Sequence, residues 1–291
     1  MAPAMGIIET HRHLLNRLLP EDKESGLSSL QGQFHHVVIG SEEVICFARS
    51  EAASERLPAR AAVLRTLAEL DLGFLTPRPL AQGGIPGTDE PPYLVLSRIP
   101  GAPLERDALD SPEVAETAAA QFTALLSGLN AAGKDARVRA ALPQAPETQW
   151  QEFAACVRAE LFPLMSDSGR KRAEGELAAL DGLPPPASAV VHGDLGGENV
   201  LWKFSDGVLR LSGVIDWDEV TVGDPAEDLA AVGAGYGDTL LKRVLTLGDW
   251  DDEATAGRIT AIRGTFALQQ ALYAQRDGDE EELADGLTCY R

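Results

Sequence analysis

Residues 190–202 read VVHGDLGGENVLW, and residues 211–230 read LSGVIDWDEVTVGDPAEDLA. These two segments limit the fold more than any other part of the chain. Short β-branched runs, VV and VLW in the first and LSGVI in the second, border stretches rich in glycine, aspartate and asparagine. The pattern is strand, polar loop, strand, with the later strand ending on a carboxylate, Asp216. Taken alone, Asp194 and Asn199 could be plain turn residues.

The elements around them are segregated. Residues 6–19 carry Ile7, Ile8, Leu14, Leu15 and Leu18 at helical spacing, closed by Pro20. FHHVVIG (34–40) and EVICFAR (43–49) make a hairpin about the Gly40-Ser41 turn. Residues 52–71 are helical, with Pro58 suggesting that the regular part starts there. PYLVLSRIPG (92–101) is a buried-type strand stopped by Pro100 and Gly101. Beyond it the chain is mostly helical, with periodic segments near 112–132, 147–165, 168–181 and 253–275, and GLPPPAS (182–188) is a short stiff connector. A strand-rich first third and a helical remainder make an α+β fold with two lobes.

Composition narrows the partners. A net charge of -20 disfavours nucleic acid, whose recognition rests on clustered lysine and arginine. It would attract a cationic substrate, or serve only solubility. No apolar run is long enough for a membrane span, the N-terminus has no secretory pattern, and Cys46, Cys156 and Cys289 are far apart, so the expected place is a reducing cytoplasm.

The loop at 192–199 has the form H-x-D-x-x-x-x-N, the spacing of a kinase catalytic loop. Phosphoryl transfer needs an aligned hydroxyl and cations that neutralise the triphosphate. Asp194 is therefore the candidate to orient the acceptor and take its proton. Asn199 and Asp216 offer the amide and carboxylate oxygens that Mg²⁺ prefers. His192, at a strand end, is expected to hold backbone in place. Asp224, as a helix N-cap before Pro225, and Asp228 are expected scaffold residues. Asp218 and Glu219 could face an acceptor or solvent. GLNAAGKD (128–135) is not a P-loop, because Asp135 replaces the serine or threonine and no strand precedes it. GAGYG (233–237) follows a helix and lacks the dinucleotide spacing.

On HGDLGGEN and VIDWDE the chain resembles the aminoglycoside phosphotransferase family. IIETHRHLLNRLLP, GQFHHVVIG, GTDEPPYLVLSRIPGAPL and GTFALQQALYAQRDGDEEELADG are similar to its branch acting on the tuberactinomycin peptides viomycin and capreomycin. The resemblance implies a protein-kinase-like fold: a nucleotide-binding lobe with a five-stranded sheet over 1–97, a hinge at 97–101 and a helical lobe over 98–291. It implies ATP or GTP with Mg²⁺ as cofactors, adenine bonded by backbone at Ser97 and Ile99, and a phosphate-covering loop with Gln33, Phe34 and His35. The acceptor would be a serine hydroxyl of a cationic peptide antibiotic, and phosphorylation would confer resistance. The alternatives are an aminoglycoside or metabolic small-molecule kinase, and a catalytically silent nucleotide-binding scaffold. Kinases pair a third-strand lysine with a helix glutamate, whereas in this chain the strand VICFAR offers only Arg49, and Arg60 stands at the glutamate's place. Arg49 is the candidate nucleotide cation, or else an exposed strand-end charge.

Overall fold

The computed structural model of the chain describes residues 5–32, 34–88, 90–183 and 188–291. Gln33 lies outside the described residues, as do 184–187 of the GLPPPAS connector. In chain order the elements are α1 (Met5–Thr10), α2 (Arg12–Leu18), β1 (Ser28–Gln31), β2 (His35–Ile39), β3 (Glu43–Ala48), α3 (Glu51–Ala68), β4 (Pro79–Gly83), β5 (Tyr93–Ser97) and β6 (Ala102–Pro103). There follow α4 (Pro112–Ala132), α5 (Ala136–Ala141), α6 (Gln149–Cys156), α7 (Asp167–Asp181), β7 (Ala189–Val191), β8 (Val200–Ser205), β9 (Val208–Val214) and β10 (Thr221–Gly223). The last are α8 (Ala226–Tyr236), α9 (Asp238–Gly248), α10 (Glu253–Gly264), α11 (Phe266–Asp277) and α12 (Glu280–Gly286). They divide into two compact units, residues 1–104 with 198–218, and residues 105–197 with 219–291.

The first unit is built on an antiparallel sheet of five strands in the order β1-β2-β3-β5-β4. Val38 pairs with Ile45 and His36 with Phe47, and alternation sends Val38, Ile45 and Phe47 to one face. There they meet Leu14, Leu15 and Leu19, which the spacing of α1 and α2 places along one side. His35 and Cys46 belong to the opposite face, since Val37 pairs with Cys46 and His35 with Ala48.

Helix α3 begins at Glu51, earlier than Pro58 suggests, and runs through that proline. A proline inside a helix costs about 3 kcal/mol by removing one amide bond and crowding the preceding turn. Two features offset it. Ser50 caps the helix by accepting from the Ala53 amide at 3.1 Å, a contact worth about 1 kcal/mol. Leu57 and Leu64 are buried, at roughly 1.5–3 kcal/mol each.

The second unit is helical apart from the two-stranded β7–β10 ribbon. Its core gathers Val157, Leu161, Leu177, Leu268, Leu287 and Tyr290. The expected helix over 253–275 is broken at Thr265 into α10 and α11. The expected helix over 147–165 is regular only through α6 and then loosens into a wider and a tighter turn. GAGYG sits in the last turns of α8 rather than after a helix. No helix among the described residues is long and apolar enough to cross a membrane.

Candidate active site

In the second unit, β7 delivers the chain to His192, Gly193 and Asp194 with all three strand residues buried. Asp228, in the first turn of α8, lies beneath this loop. Its two carboxylate oxygens accept from consecutive amides, His192 at 2.9 Å and Gly193 at 3.1 Å. The Asp194 amide in turn donates to His192 Nδ1 at 3.2 Å. His192 is fully buried and so cannot swing away. Gly193 has φ +87°, and a Cβ there would stand 2.7 Å from the Glu219 carbonyl oxygen, so glycine alone fits.

This corner is strongly acidic. Burial pushes the Asp228 carboxyl up to about 7, aided by the charge of Asp194 and opposed by the two amides. Glu227 is raised to about 7 by burial and by Asp228 and Asp224, although Gln149 donates to it at 3.3 Å. Tyr273 of α11 was not singled out by the sequence. Its phenol is raised by burial and then by Glu219, with Asp194 and Glu227 acting in the same sense.

The raised carboxyls set a stability slope. The folded chain holds protons on Glu227 and Asp228 that the unfolded chain releases near pH 4 to 4.5, so the native state binds more protons between there and about pH 7. Stability is expected to fall as pH rises through that window. Glu227→Gln should flatten the slope, measurable as the change in urea midpoint between pH 5 and pH 7.5.

Asp224 is buried. Its Oδ1 accepts from the Ala226 amide at 3.0 Å, and its Oδ2 takes Arg258 Nε at 2.8 Å. The helix starts one residue later than expected, with Pro225 at the cap position. Asp224 is thus held in an ion pair as well as at the helix start.

In the first unit, Val200 of β8 pairs with Val214 of β9, and the Ile215 amide donates to the Asn199 carbonyl at 2.9 Å. The ladder therefore extends past both strands, setting Asn199 opposite Ile215 with Asp216 next in line. Asn199 is buried, and Asp216 holds a left-handed backbone at φ 61°, a conformation that aspartate tolerates at some strain. Trp217 anchors the chain just beyond. Its indole donates to the Val214 carbonyl at 2.9 Å, and its ring stacks on Phe74 with centroids 6.4 Å apart. The donor set suits Mg²⁺: a buried amide and a carboxylate, both hard oxygen donors, share one end of a ribbon that fixes their spacing.

Asp218 turns to Arg60 of α3, with which it forms an ion pair through Nε, and it lies 3.9 Å from His35 Nδ1. Burial, then Arg60, drive the His35 imidazole down to about 4, with Asp218 acting the other way. The loop before β2 is closed by the Gly32 amide donating to the His35 carbonyl at 2.9 Å. Arg49 ties this loop to β3, its Nη1 donating to the Gly32 carbonyl at 2.6 Å and its amide to the Phe34 carbonyl at 3.0 Å. Phe34 carries the Arg56 guanidinium over its ring at 5.5 Å. Ser97 gives its amide to the Arg78 carbonyl, and its hydroxyl accepts from the Arg78 amide, both at 2.9 Å. The Ile99 side chain is buried against Gly213.

The described structure thus brings Asn199 together with Asp216, Asp218 with Arg60 and His35, and Asp194 with His192 and Asp228. Comparison with known proteins agrees with the motifs. Residues 24–258 match the model of the phosphotransferase enzyme family. Viomycin phosphotransferase of Streptomyces vinaceus is 72% identical over 287 residues, covering 99% of this chain and 100% of that one. Aminoglycoside 2'-phosphotransferase-IIIa in its GDP complex superposes with a TM-score of 0.80 at 17% identity, covering 96% of this chain and 95% of that one. A type I macrolide 2'-phosphotransferase does so with 0.69 at 25% identity, covering 91% and 90%. A match over most of the chain, and a relative this similar from end to end, establish that the chain belongs to the aminoglycoside phosphotransferase family, in the branch that contains viomycin phosphotransferase.

Proposed function

We propose that the enzyme transfers the γ-phosphoryl group of ATP to a serine hydroxyl of a cationic tuberactinomycin peptide, capreomycin or viomycin, and so protects the cell that holds it. The similarity to viomycin phosphotransferase along the whole chain carries this reading. The acidic surroundings of Asp194 support it, because Glu219 and the net charge of -20 favour the approach of a polycation.

On this reading residues 1–97 hold the nucleotide, 97–101 form the hinge, and 98–291 hold the catalytic loop and the antibiotic. Asp194 accepts the proton of the serine hydroxyl as that oxygen bonds to the γ-phosphorus, and the bond to the β-phosphate bridge breaks to release ADP. His192 and Asp228 keep Asp194 aimed by fixing the amides around it. Asn199 and Asp216 would hold Mg²⁺, which when bound neutralises charge on the phosphates. The segment Gly32 to His35, tied down by Arg49, covers the phosphates, while backbone at Ser97 and Ile99 meets the purine.

The acceptor can be tested directly. Asp194 can activate only a hydroxyl within roughly 2.6–3.2 Å, so a peptide with alanine in place of the acceptor serine has nothing to phosphorylate. A mixture of serine- and alanine-containing capreomycins, incubated with Mg²⁺ and either ATP or GTP, should gain one phosphate on the serine form alone. Equal modification of both forms would place the acceptor elsewhere, and absence of transfer to either peptide with either nucleotide would sink the proposed reaction.

A further inference from the structure

Arg60 stands where an arginine is costly. On α3 it follows Leu57 by three residues and precedes Leu64 by four, which sets it in the buried stripe of the helix. Its side chain keeps only 15% exposure. Nε bonds Asp218, and the guanidinium lies beside the buried thiol of Cys46 on β3. Nη1 is buried with no hydrogen-bond partner. His35, on the same sheet face as Cys46, likewise buries Nε2 without a partner. Two orphaned polar atoms therefore flank one carboxylate, Asp218, two residues beyond Asp216.

Such an arrangement is poor for stability. A buried donor without a partner costs about 1–3 kcal/mol, more when charged, and an apolar residue in the stripe would avoid it. The orphaned donors point instead to a ligand rich in acceptor oxygens. Arginine suits a phosphate, because its fork offers parallel donors and its charge does not titrate away.

We propose that Arg60 is the cation that binds the nucleotide phosphates, with Asp218 as the residue that positions it and the unpartnered His35 Nε2 beside it. The inference rests on the nucleotide-dependent reaction proposed above. Kinases supply this charge from a lysine on the third strand, paired with a glutamate on the next helix. Here the polarity is exchanged: the strand carries Cys46, the helix carries the cation, and the carboxylate partner comes from the segment after β9. Arg49 then acts through the loop that it ties at Gly32. Because Nη1 is sealed in this conformation, binding a phosphate oxygen requires the guanidinium to turn while Nε keeps Asp218.

The test compares binding of ATP and of adenosine to the full-length protein by calorimetry in the presence of Mg²⁺, with GTP and guanosine in parallel. Their ratio isolates the phosphates. Arg60→Gln should weaken nucleoside triphosphate binding by roughly 10- to 100-fold and leave the nucleoside unchanged, which also reports that the variant is folded. Arg60→Lys, which keeps the charge without the fork, should recover part of the loss, and the Michaelis constant for the triphosphate should rise without that for the antibiotic. A folded Arg60→Gln protein with the wild-type ratio, or a loss confined to Arg49→Ala, overturns the assignment. Should Arg60→Gln fail to fold, wild-type protein crystallised with a non-hydrolysable triphosphate decides the matter. The guanidinium is expected on a phosphate oxygen, and one beyond hydrogen-bond distance of every phosphate oxygen rejects it. If wild-type protein binds neither triphosphate, the proposed function itself fails, which is a different result from a wild-type ratio in the variant.

Discussion

Asp194→Asn is expected to lower the turnover number about 10² to 10⁴-fold, the usual worth of a general base, with nucleotide binding retained. The substitution keeps the shape of the side chain and leaves the Asp194 amide donating to His192 Nδ1. It also removes a negative charge that raises Asp228, which relieves that buried carboxyl. Single-turnover kinetics and a thermal melt on the same sample separate the two effects. Turnover close to wild type in a protein that melts normally would remove Asp194 from the mechanism.

Loss of a proposed metal ligand should be as damaging but of a different kind. Asp216→Asn is the cleaner variant, since asparagine also tolerates a left-handed backbone, whereas alanine at φ 61° would add strain of about 1–2 kcal/mol. The Mg²⁺ concentration for half-maximal activity should rise at least tenfold, since even residues that only support metal ligands are worth about 10–100-fold in affinity. Asn199→Ala should do the same, and Asn199→Asp, which retains an oxygen donor, should not. Unchanged metal dependence in both Asp216→Asn and Asn199→Ala would mean that the metal is held elsewhere.

Much of the fold was legible because local chemistry and tertiary packing agree. The β2–β3 hairpin follows from alternation about Gly40-Ser41, and α4 spans the residues that its alanine and leucine periodicity marks. Where they disagree, the sequence misleads. Strand β1 reads SSLQ and is largely exposed, so neither apolar alternation nor a buried run announces it. Pro58 hides the true start of α3, because the Ser50 cap and the packing of Leu57 outweigh a local penalty. Thr265, buried and bonded to the Ile262 carbonyl, ends a helix that periodicity carries onward.

The site divides in the same way. Asp194, Asn199 and Asp216 can be proposed from spacing because short loops place them next to strand ends. The partner of Arg60 is not, since Asp218 lies 158 residues away in the chain and only the folded sheet brings them together. A signal was nonetheless present: Leu57, Arg60, Leu64 and Leu67 share the helical spacing of one face, so the arginine could be seen to point inward. Tyr273 gave no such sign, being one aromatic on a helix whose buried face carries Leu268 and Leu272.

The clamp beneath the loop bears on how the enzyme could be blocked and how it could escape. Both oxygens of Asp228 already hold the consecutive amides of His192 and Gly193, so a compound that engages Asp194 meets a preformed surface. Little of its binding free energy goes into ordering the target. The same rigidity narrows the routes to inhibitor resistance. Reshaping the loop requires either breaking the Asp228 bonds or adding a side chain at Gly193, where the first carbon would collide with the Glu219 carbonyl 2.7 Å away. Either change disturbs Asp194 itself, so, with Asp194 as the proposed base, a variant that evades the compound is expected to give up catalysis along with sensitivity.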